Sequence, residues 1–463
     1  MPRDHRERRV NKSDISFRDR PINLDEQGGR RWVYAKKPEG PWYRRRTVFN
    51  WFVLLFFIAV PFIRINGNPL ILLDIAGRKF IIFGAIFWAQ DTLILALLML
   101  SFVLFIILFT VTFGRLWCGW ACPQTIFLEM VFRKIEYLIE GDYRKRNKLD
   151  RGPWTREKIL KKATKHSIFI LISVAMTNTF LLWFIGSEKW ILLVSEPLGG
   201  NLKAFAIMLL ISGFFYWVYS WFREQICTMV CPYGRMQGVL LDSRSVVVSY
   251  DYKRGEPRGP KTEGDCIDCH QCISVCPTAI DIRNGTQLEC INCTACIDQC
   301  NSVMNATKKE PGLIRFDSEN GIKHGHESIW NPRNRAYSVV LLVLFSFFIY
   351  TLFTRPVVET TILRTPGLLF QENEDGRISN VYNIKIVNKT HEALPLEMRL
   401  ISHEGEITMA GSKMEIADQD RFESTFILYL HEDLLTGDKT EVEFGIFSKN
   451  ELIEKYKTTF IGP

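Results

Sequence analysis

No cysteine occurs before residue 118 and none after residue 300, so all twelve in this 463-residue chain are confined to one internal stretch, eight of them within 35 residues. Thiols gathered this densely point to metal ligation rather than to a disulfide framework. The cysteine-free last 163 residues exclude a copper site of the His₂Cys type there, and His391, His403 and His431 read as surface residues. The N-terminus lacks a short apolar stretch with a small-residue cleavage site, which argues against a secretory signal peptide. Arg3, Arg6, Arg8 and Arg9 read instead as part of a retained cytoplasmic segment.

Hydrophobic residues make up 47% of the chain and charged ones 23%, with a net charge of +8. Long apolar runs alternate with strongly basic ones, as in a membrane protein with soluble domains. The positive charge gathers beside the apolar runs, where an anionic cytoplasmic leaflet attracts it, so it is no evidence for a nucleic-acid partner; the expected partner is membrane lipid. Windows long enough to cross ~30 Å of hydrocarbon occur near 47–65, 92–113, 167–186, 204–222 and 337–353. Arg44, Arg45 and Arg46 precede the first, and Arg144, Lys145, Arg146, Lys148, Lys161 and Lys162 lie between the second and third. The positive-inside rule then places the N-terminus, 114–166 and 223–336 in the cytoplasm and everything after 354 outside. The apolar stretch 69–88, broken by Asp74, Gly77, Arg78 and Lys79, reads as an interfacial hairpin, because a sixth span would invert the later topology. Trp330, Tyr337 and Tyr350 suit interfacial anchors of the fifth span. In 124–140, Phe127, Met130, Val131, Ile135, Leu138 and Ile139 recur at helical spacing with Glu129, Arg133, Lys134 and Glu136 between them, the pattern of an amphipathic helix lying on the cytoplasmic interface.

Cys266, Cys269, Cys272 and Cys276 are followed by Pro277, and the run repeats 24 residues on as Cys290, Cys293, Cys296 and Cys300. CxxCxxCxxxC, twice, is the bacterial two-cluster ferredoxin spacing, in which the fourth cysteine of each run ligates the other run's [4Fe–4S] cluster. One cluster is therefore assigned to Cys266, Cys269, Cys272 and Cys300, the other to Cys290, Cys293, Cys296 and Cys276. Structural zinc, the rival use of thiolates, usually takes two close pairs. Asn301 stands where the pattern has Pro, and His270 within the first run reads as a solvated loop residue.

Two further pairs end the second and fourth spans: Cys118 and Cys122 before Pro123, and Cys227 and Cys231 before Pro232, with Arg115 and Arg223 upstream. At i and i+4 two cysteines share a helix face and offer two sulfurs to one ion. Alternatively the Pro opens a new helix, leaving Cys122 or Cys231 at an N-terminus where a thiolate is stabilised. The bland alternative is helix packing by small buried residues. Soft thiolates favour Cu(I), so such a site beside iron–sulfur clusters is suited to take up Cu(II), accept one electron and hold Cu(I).

The stretches FGRLWCGWACPQTIF, ICTMVCPYGRMQ, GLIRF at 312–316 and GRISNVYNIKIVNKT at 376–390, with the double cysteine run, resemble the CcoG family, also called FixG or RdxA, cytochrome c oxidase accessory proteins of Gram-negative bacteria. INGNPLILLDIAGRKFIIFG and EGDYRKRNKLD match as well, so the resemblance covers nearly the whole chain; an eighth cysteine without a following Pro is within the family's range. The resemblance implies a multi-pass protein of the bacterial inner membrane that helps to build the cbb3-type oxidase, with Cu(II) reduction at Cys118, Cys122, Cys227 and Cys231 as the proposed chemistry. Assembly factors of that oxidase and a copper transporter or chaperone are the implied partners. It also implies an immunoglobulin-like C-terminal sandwich, for which 380–388, 394–402, 423–430 and 440–448 supply strand patterns. The expected organisation is a basic segment (1–46), a membrane domain (47–240), a cytoplasmic ferredoxin module (241–336), a fifth span (337–353) and a periplasmic sandwich (354–463). A quinol-oxidising electron-transfer subunit and a non-catalytic copper carrier or scaffold remain as alternatives. The electron donor is not legible, and nothing in the pattern excludes a homo-oligomer.

Overall fold

The structure, a computed structural model, describes residues 30–65, 67–88, 91–195, 201–325, 328–356, 358–373, 376–390, 392–410, 414–417 and 420–463. The N-terminal arginines and His391 lie outside this set. The chain forms two compact units, Met1–Phe348 and Ile349–Pro463.

Among the described residues five helices are long and apolar enough to cross a membrane: α1 (Pro41–Phe62), α2 (Thr92–Phe113), α3 (Arg156–Ser195), α4 (Leu202–Phe222) and α5 (Pro332–Phe353). Each overlaps one of the five apolar windows of the sequence, although the first helix ends before the strand Arg64–Ile65 and the third extends well beyond 167–186. No more than 28% of any of these windows is buried by protein, as helices whose apolar sides face lipid require. The helices end where the backbone leaves helical space: at Gly114 (φ 58°) after α2, and at Gly186 (φ 78°), which breaks α3 at the end of its apolar window.

Among the described residues, 64–65 and 67–88 form strands and turns and no helix. Arg64–Ile65 pairs with Asn68–Pro69, and Ile71–Asp74, Lys79–Ile82 and Ala85–Trp88 make a three-stranded meander. The Asp74 carboxylate accepts the Gly77 N–H at 2.7 Å, closing the first turn of that meander, so the polar residues that interrupt the apolar run are the turn formers.

The expected surface helix after the first cysteine pair is present, but its environment differs. Pro123–Ile126, a π-helical Phe127–Phe132 and Arg133–Ile139 run on from one another. Ile126, Phe127, Leu128 and Phe132 pack into a core with Leu54, Phe169, Met176 and Tyr219. Arg133 and Glu136 are buried as well, whereas Leu138 is 86% exposed. The helix is therefore docked on both sides rather than floating on an interface. Its charged face turns inward because partners await it there, and a buried charge is tolerated when paired.

In the cysteine-rich region Val247–Tyr250 pairs antiparallel with Ile314–Asp317, and helices Gln271–Ser274 and Ala295–Ala306 lie beside this ribbon. The second unit is a sandwich of β1 (Val358–Arg364), β2 (Arg377–Asn388), β3 (Leu394–Leu400), β4 (Glu406–Ala410), β5 (Glu415–Ile416), β6 (Arg421–His431), β7 (Lys439–Ser448) and β8 (Glu451–Ile461). One sheet runs β4-β6-β2-β1, with Gln371–Glu372 added beside β2, and the other β5-β3-β7-β8. Alternate residues of the strands, among them Tyr382, Phe426, Phe444 and Phe460, fill the space between the sheets and are fully buried, the period-2 rule applied twice.

Candidate metal centres

Each cysteine run wraps by the same device. Asp268 (φ 57°) and His270 (φ 54°) in the first run, and Asn292 (φ 52°) and Thr294 (φ 66°) in the second, are left-handed at matching offsets between the cysteines. These reversals coil the backbone so that successive thiols face one centre. One apolar cavity is lined by Cys276, Cys290, Cys293 and Cys296, with Val248 and Ile280 among its walls. A second is lined by Cys266, Cys269, Cys272 and Cys300, with Leu313 and Ile314. Cys272 touches both. Each cavity thus takes three cysteines of one run and the fourth of the other.

The donor set fits iron–sulfur clusters. Burial pushes the thiol of Cys290 up to about 12 and that of Cys293 up to about 11, so the metal-free thiols are protonated at neutral pH, and metal binding must displace those protons. Among the described residues no three His, Cys, Asp or Glu side chains converge tightly enough to hold a single ion. Eight cysteines arranged around two cavities suit a cubane, whose four corners lie apart, better than zinc. His270 is exposed, beside Asp268 and Arg283, as a loop residue would be. Asn301 accepts the Gly312 N–H at 2.8 Å and ties the helix of the second run to the returning strand.

The paired motifs are a geometric as well as a sequence repeat. Cys122 and Cys231 each stand extended, immediately before a Pro that opens a helix. In each motif the second cysteine's N–H reaches back five residues, Cys122 to Trp117 at 2.9 Å and Cys231 to Ile226 at 2.8 Å. The shared helix face expected for i and i+4 is therefore not formed, because Pro cannot continue a helix through its own missing N–H. The alternative, a cysteine at the start of a new helix, is the observed one. Four residues before the first cysteine of each motif sits the same unusual bend, Gly114 in one and Arg223 (φ 50°) in the other. Arg115 and Arg223 are thus not equivalent residues.

The two motifs also meet. Cys118 lies 3.1 Å from the amide oxygen of fully buried Gln237, which follows Cys231 on the helix Pro232–Leu240. Arg115 donates to that same oxygen at 3.1 Å and to the Cys227 carbonyl at 3.4 Å. Burial raises the Cys118 thiol to about 11, against the pull of Arg115 and with an added push from Cys122 and Cys231. The Cys227 thiol rises to about 12, again through burial first and then through Cys122 and Cys118. All four sulfurs therefore lie within electrostatic reach of one another.

The first of these motifs abuts the second cysteine run. Cys118 shares one packed core with Val275, Ile291, Cys293 and Ala295, against which Tyr233 and Cys296 also pack. The Trp120 indole donates to the Asn292 carbonyl at 3.2 Å, and the Asn292 amide donates to the Phe113 carbonyl at 3.3 Å. The end of α2, the first motif and the second run are consequently tied together by packing and hydrogen bonds.

Comparison with known proteins places the chain. It is 31% identical to the nitrogen fixation protein FixG of Rhizobium meliloti over 90% of this chain and 84% of that one. It is 32% identical to protein RdxA of Cereibacter sphaeroides over 74% of this chain and 77% of that one. The chain belongs to the FixG/RdxA family. A 4Fe-4S dicluster domain matches residues 222–263 and 256–319, a 4Fe-4S binding domain matches 95–146, and the Ig-like fold at the C-terminus of FixG matches 348–463. A crystal structure of a FixG-related protein from Vibrio parahaemolyticus also aligns, with 19% identity and a TM-score of 0.19, over 23% of this chain and 95% of that one. This FixG-family member is therefore a membrane iron–sulfur electron-transfer protein with an immunoglobulin-like C-terminal unit.

A buried ionic cluster on this FixG-type chain is not evident from motif spacing. Arg223 makes a double contact with Glu136 at 2.6 and 3.1 Å, Arg146 reaches Glu136 at 2.7 Å, and Lys165 reaches Glu140 at 2.8 Å. Burial alone would raise the Glu136 carboxyl, but Arg223 and then Arg146 overcome it and hold the group well below the usual carboxylate range. In the sequence Glu136 belongs to the polar face of an amphipathic helix with Glu129, Arg133 and Lys134, so no local signal marked its burial.

Proposed function

We propose that this chain reduces Cu(II) to Cu(I) at the thiols of Cys118, Cys122, Cys227 and Cys231, for the assembly of a cbb3-type cytochrome c oxidase. The observation that carries the reading is the shared core of Cys118 with Cys293 and Cys296, which sets the first cysteine of the quartet against the second cysteine run. Iron–sulfur clusters, when bound, supply electrons one at a time, the stoichiometry that Cu(II) requires. The residues of the chain do the rest. Soft thiolates prefer the product ion, Cu(I), to the substrate ion, and two sulfurs suffice for Cu(I), so a preformed cage of three or more ligands is not needed. Arg115 lies beside both motifs and favours the thiolate form of Cys118. Gln237 fixes Cys118 in place.

In this reading Cys266, Cys269, Cys272 and Cys300 ligate one cluster and Cys276, Cys290, Cys293 and Cys296 the other. The protein sits in the bacterial inner membrane, with the cysteine-rich region in the cytoplasm and the C-terminal unit in the periplasm. Oxidase assembly factors and a copper transporter or chaperone exchange copper with it.

The test replaces Cys118, Cys122, Cys227 and Cys231 together by Ser, which exchanges soft donors for weakly coordinating hydroxyls of similar size. Iron content should survive, while Cu(I) binding and chemically driven Cu(II) reduction should fall at least tenfold. Unchanged copper binding and reduction would leave these cysteines as packing residues.

A further inference from the structure

Three buried arginines border the two cysteine cavities, and they are not held alike. Arg283 lines the first cavity, that of Cys266, Cys269, Cys272 and Cys300. Two carboxylates grip it, Asp281 at 2.7 Å and Asp268. Its charge is therefore answered on the spot: burial raises the Cys272 thiol most, Arg283 opposes the rise and Asp281 adds to it.

The second cavity, that of Cys276, Cys290, Cys293 and Cys296, has two guanidiniums beside it. Arg46, in the second turn of α1, is 1% exposed. Its Nε donates to the Gly119 carbonyl at 2.8 Å, and its Nη2 is buried with no hydrogen-bond partner among the described residues. Gly119 in turn packs against the backbone of Ile291 and Cys293. Arg115 is 3% exposed and donates to the Gln237 amide oxygen and to the carbonyls of Cys227 and Leu288, the latter two residues before Cys290. Among the described residues neither guanidinium makes an ion pair. After burial, Arg46 is the leading influence on the Cys293 thiol and opposes its rise, and Arg115 opposes the rise of Cys290.

The neighbouring carboxylates are engaged elsewhere. Glu129 is paired with Arg133 at 2.9 Å. Asp298 accepts from the Trp42 and Tyr43 N–H groups at the start of α1, at 3.1 and 2.7 Å, and Glu289 is half-buried on the wall of a separate cavity of ≈ 630 Å³. A buried charge left without a partner is strongly destabilising, so two sealed guanidiniums require an anion. The metal-free thiols are not that anion, because burial keeps Cys290 and Cys293 protonated. A metal-bound cysteine is a thiolate, and a four-iron centre held by four of them is an anion that gains one further negative charge on reduction.

We infer that Arg46 and Arg115 are the counter-charges of the second iron–sulfur cluster and hold it at a higher potential than the first, so that a single electron in the protein settles beside Cys118. The inference rests on the two-cluster ligation proposed above and is independent of copper. Burial alone works the other way: Cys269 of the first cavity is exposed, whereas all four cysteines of the second are buried or half-buried, and a drier site resists added charge. Charge nearby and solvent exposure both set the potential of such a centre, and here two unpaired cations outweigh the drier surroundings. The favoured step moves one electron from the first cavity to the second, oxidising one centre and reducing the other, with no bond broken and no proton moved.

The test uses full-length, anaerobically purified protein, titrated with dithionite while electron paramagnetic resonance follows the reduced clusters and iron is determined on the same samples. Two one-electron steps at separate potentials should be resolved. Arg46→Gln, which keeps a donor for Gly119 and removes the charge, should lower the higher potential by at least a tenfold change in the reduction equilibrium, about 59 mV for one electron, and leave the lower one in place. Arg46→Lys, which keeps the charge, should restore most of that shift, as a hydrogen-bonding role alone would not. Arg283→Gln, which leaves Asp281 and Asp268 unanswered at the first cavity, should lower the other potential instead. Should Arg46→Gln lose iron, Arg115→Gln carries the test, because it borders the same cavity and must lower the same potential. Coincident steps in a parent with about eight iron atoms, a higher potential that does not move, or a shift shared equally by both steps would overturn the inference. A parent with about four iron atoms and a single step would sink the two-cluster ligation on which it rests.

Discussion

Gly119 lies against Ile291 so closely that a β-carbon at position 119 would stand 2.1 Å from the Ile291 carbonyl oxygen. The contact joins the first CxxxCP motif to the second cysteine run at the backbone level, where no side-chain rearrangement can relieve a clash. Arg46 holds the other side, donating to the Gly119 carbonyl at 2.8 Å while 1% exposed.

Gly119→Ala should therefore force the two segments apart. Overpacking of this kind costs ~1–3 kcal/mol, and the displacement falls on the Cys118 side of the shared core. Thermal unfolding should shift downward and chemically driven Cu(II) reduction should slow, with the quartet still able to bind Cu(I). A variant as stable and as fast as the parent would show that this close approach is not needed.

The division of the cysteines between two cavities makes a pairwise prediction. Two four-iron cubanes give about eight iron atoms per chain. Cys300→Ser should remove one cluster, and adding Cys266→Ser should remove no more iron, because both residues line the same cavity. Combining Cys300→Ser with Cys290→Ser should remove nearly all of it. Iron determination after anaerobic reconstitution separates this pattern from run-by-run ligation, in which Cys300→Ser and Cys290→Ser would be the redundant pair.

Much of this architecture was legible in the sequence. The five apolar helices and the four central strands of the sandwich announced themselves by hydropathy and alternation. The crosswise cavities follow the spacing of the two runs. The inward-facing charge of residues 123–139 was not legible, because a buried ion pair needs partners from distant segments: Glu136 meets Arg223 across 87 positions. The meeting of the two CxxxCP motifs through Gln237 was hidden for the same reason, since nothing local distinguishes that glutamine from a surface one. Strands β1, β4, β5 and β8 were also missed. β8 is exposed along most of one face and carries Glu, Lys and Thr there, which weakens its apolar alternation.

Glu136 offers a test of the buried cluster. Replacing it by Gln leaves Arg223 and Arg146 without their counter-charge, and breaking a buried pair costs ~3–5 kcal/mol. Its carboxyl is held below the ordinary value of 4.5 in the folded protein, so the stability it contributes is fully present above that value and is lost as the pH falls through the folded-state value. The Glu136→Gln penalty in thermal unfolding should be constant from about pH 5 to 8 and shrink only in stronger acid. A penalty that grew on acidification would mean that the carboxyl is neutral in the folded state.

Topology supplies the last prediction. The described residues of 64–88 are strands and turns rather than a sixth apolar helix, and an odd number of crossings puts the two ends of the chain on opposite sides. The basic residues 144–162 and those flanking the cysteine runs favour the cytoplasm by the positive-inside rule. Reporter fusions after residue 300 should then be active as cytoplasmic fusions and those near residue 400 as periplasmic ones. Periplasmic activity after residue 300 would reverse the membrane orientation. Cytoplasmic activity at both positions would mean that α5, whose apolar window is only 6% buried by protein, lies along the membrane rather than across it. The C-terminal unit would then share the cytoplasm with the cysteine clusters, and its proposed periplasmic placement would have to be abandoned.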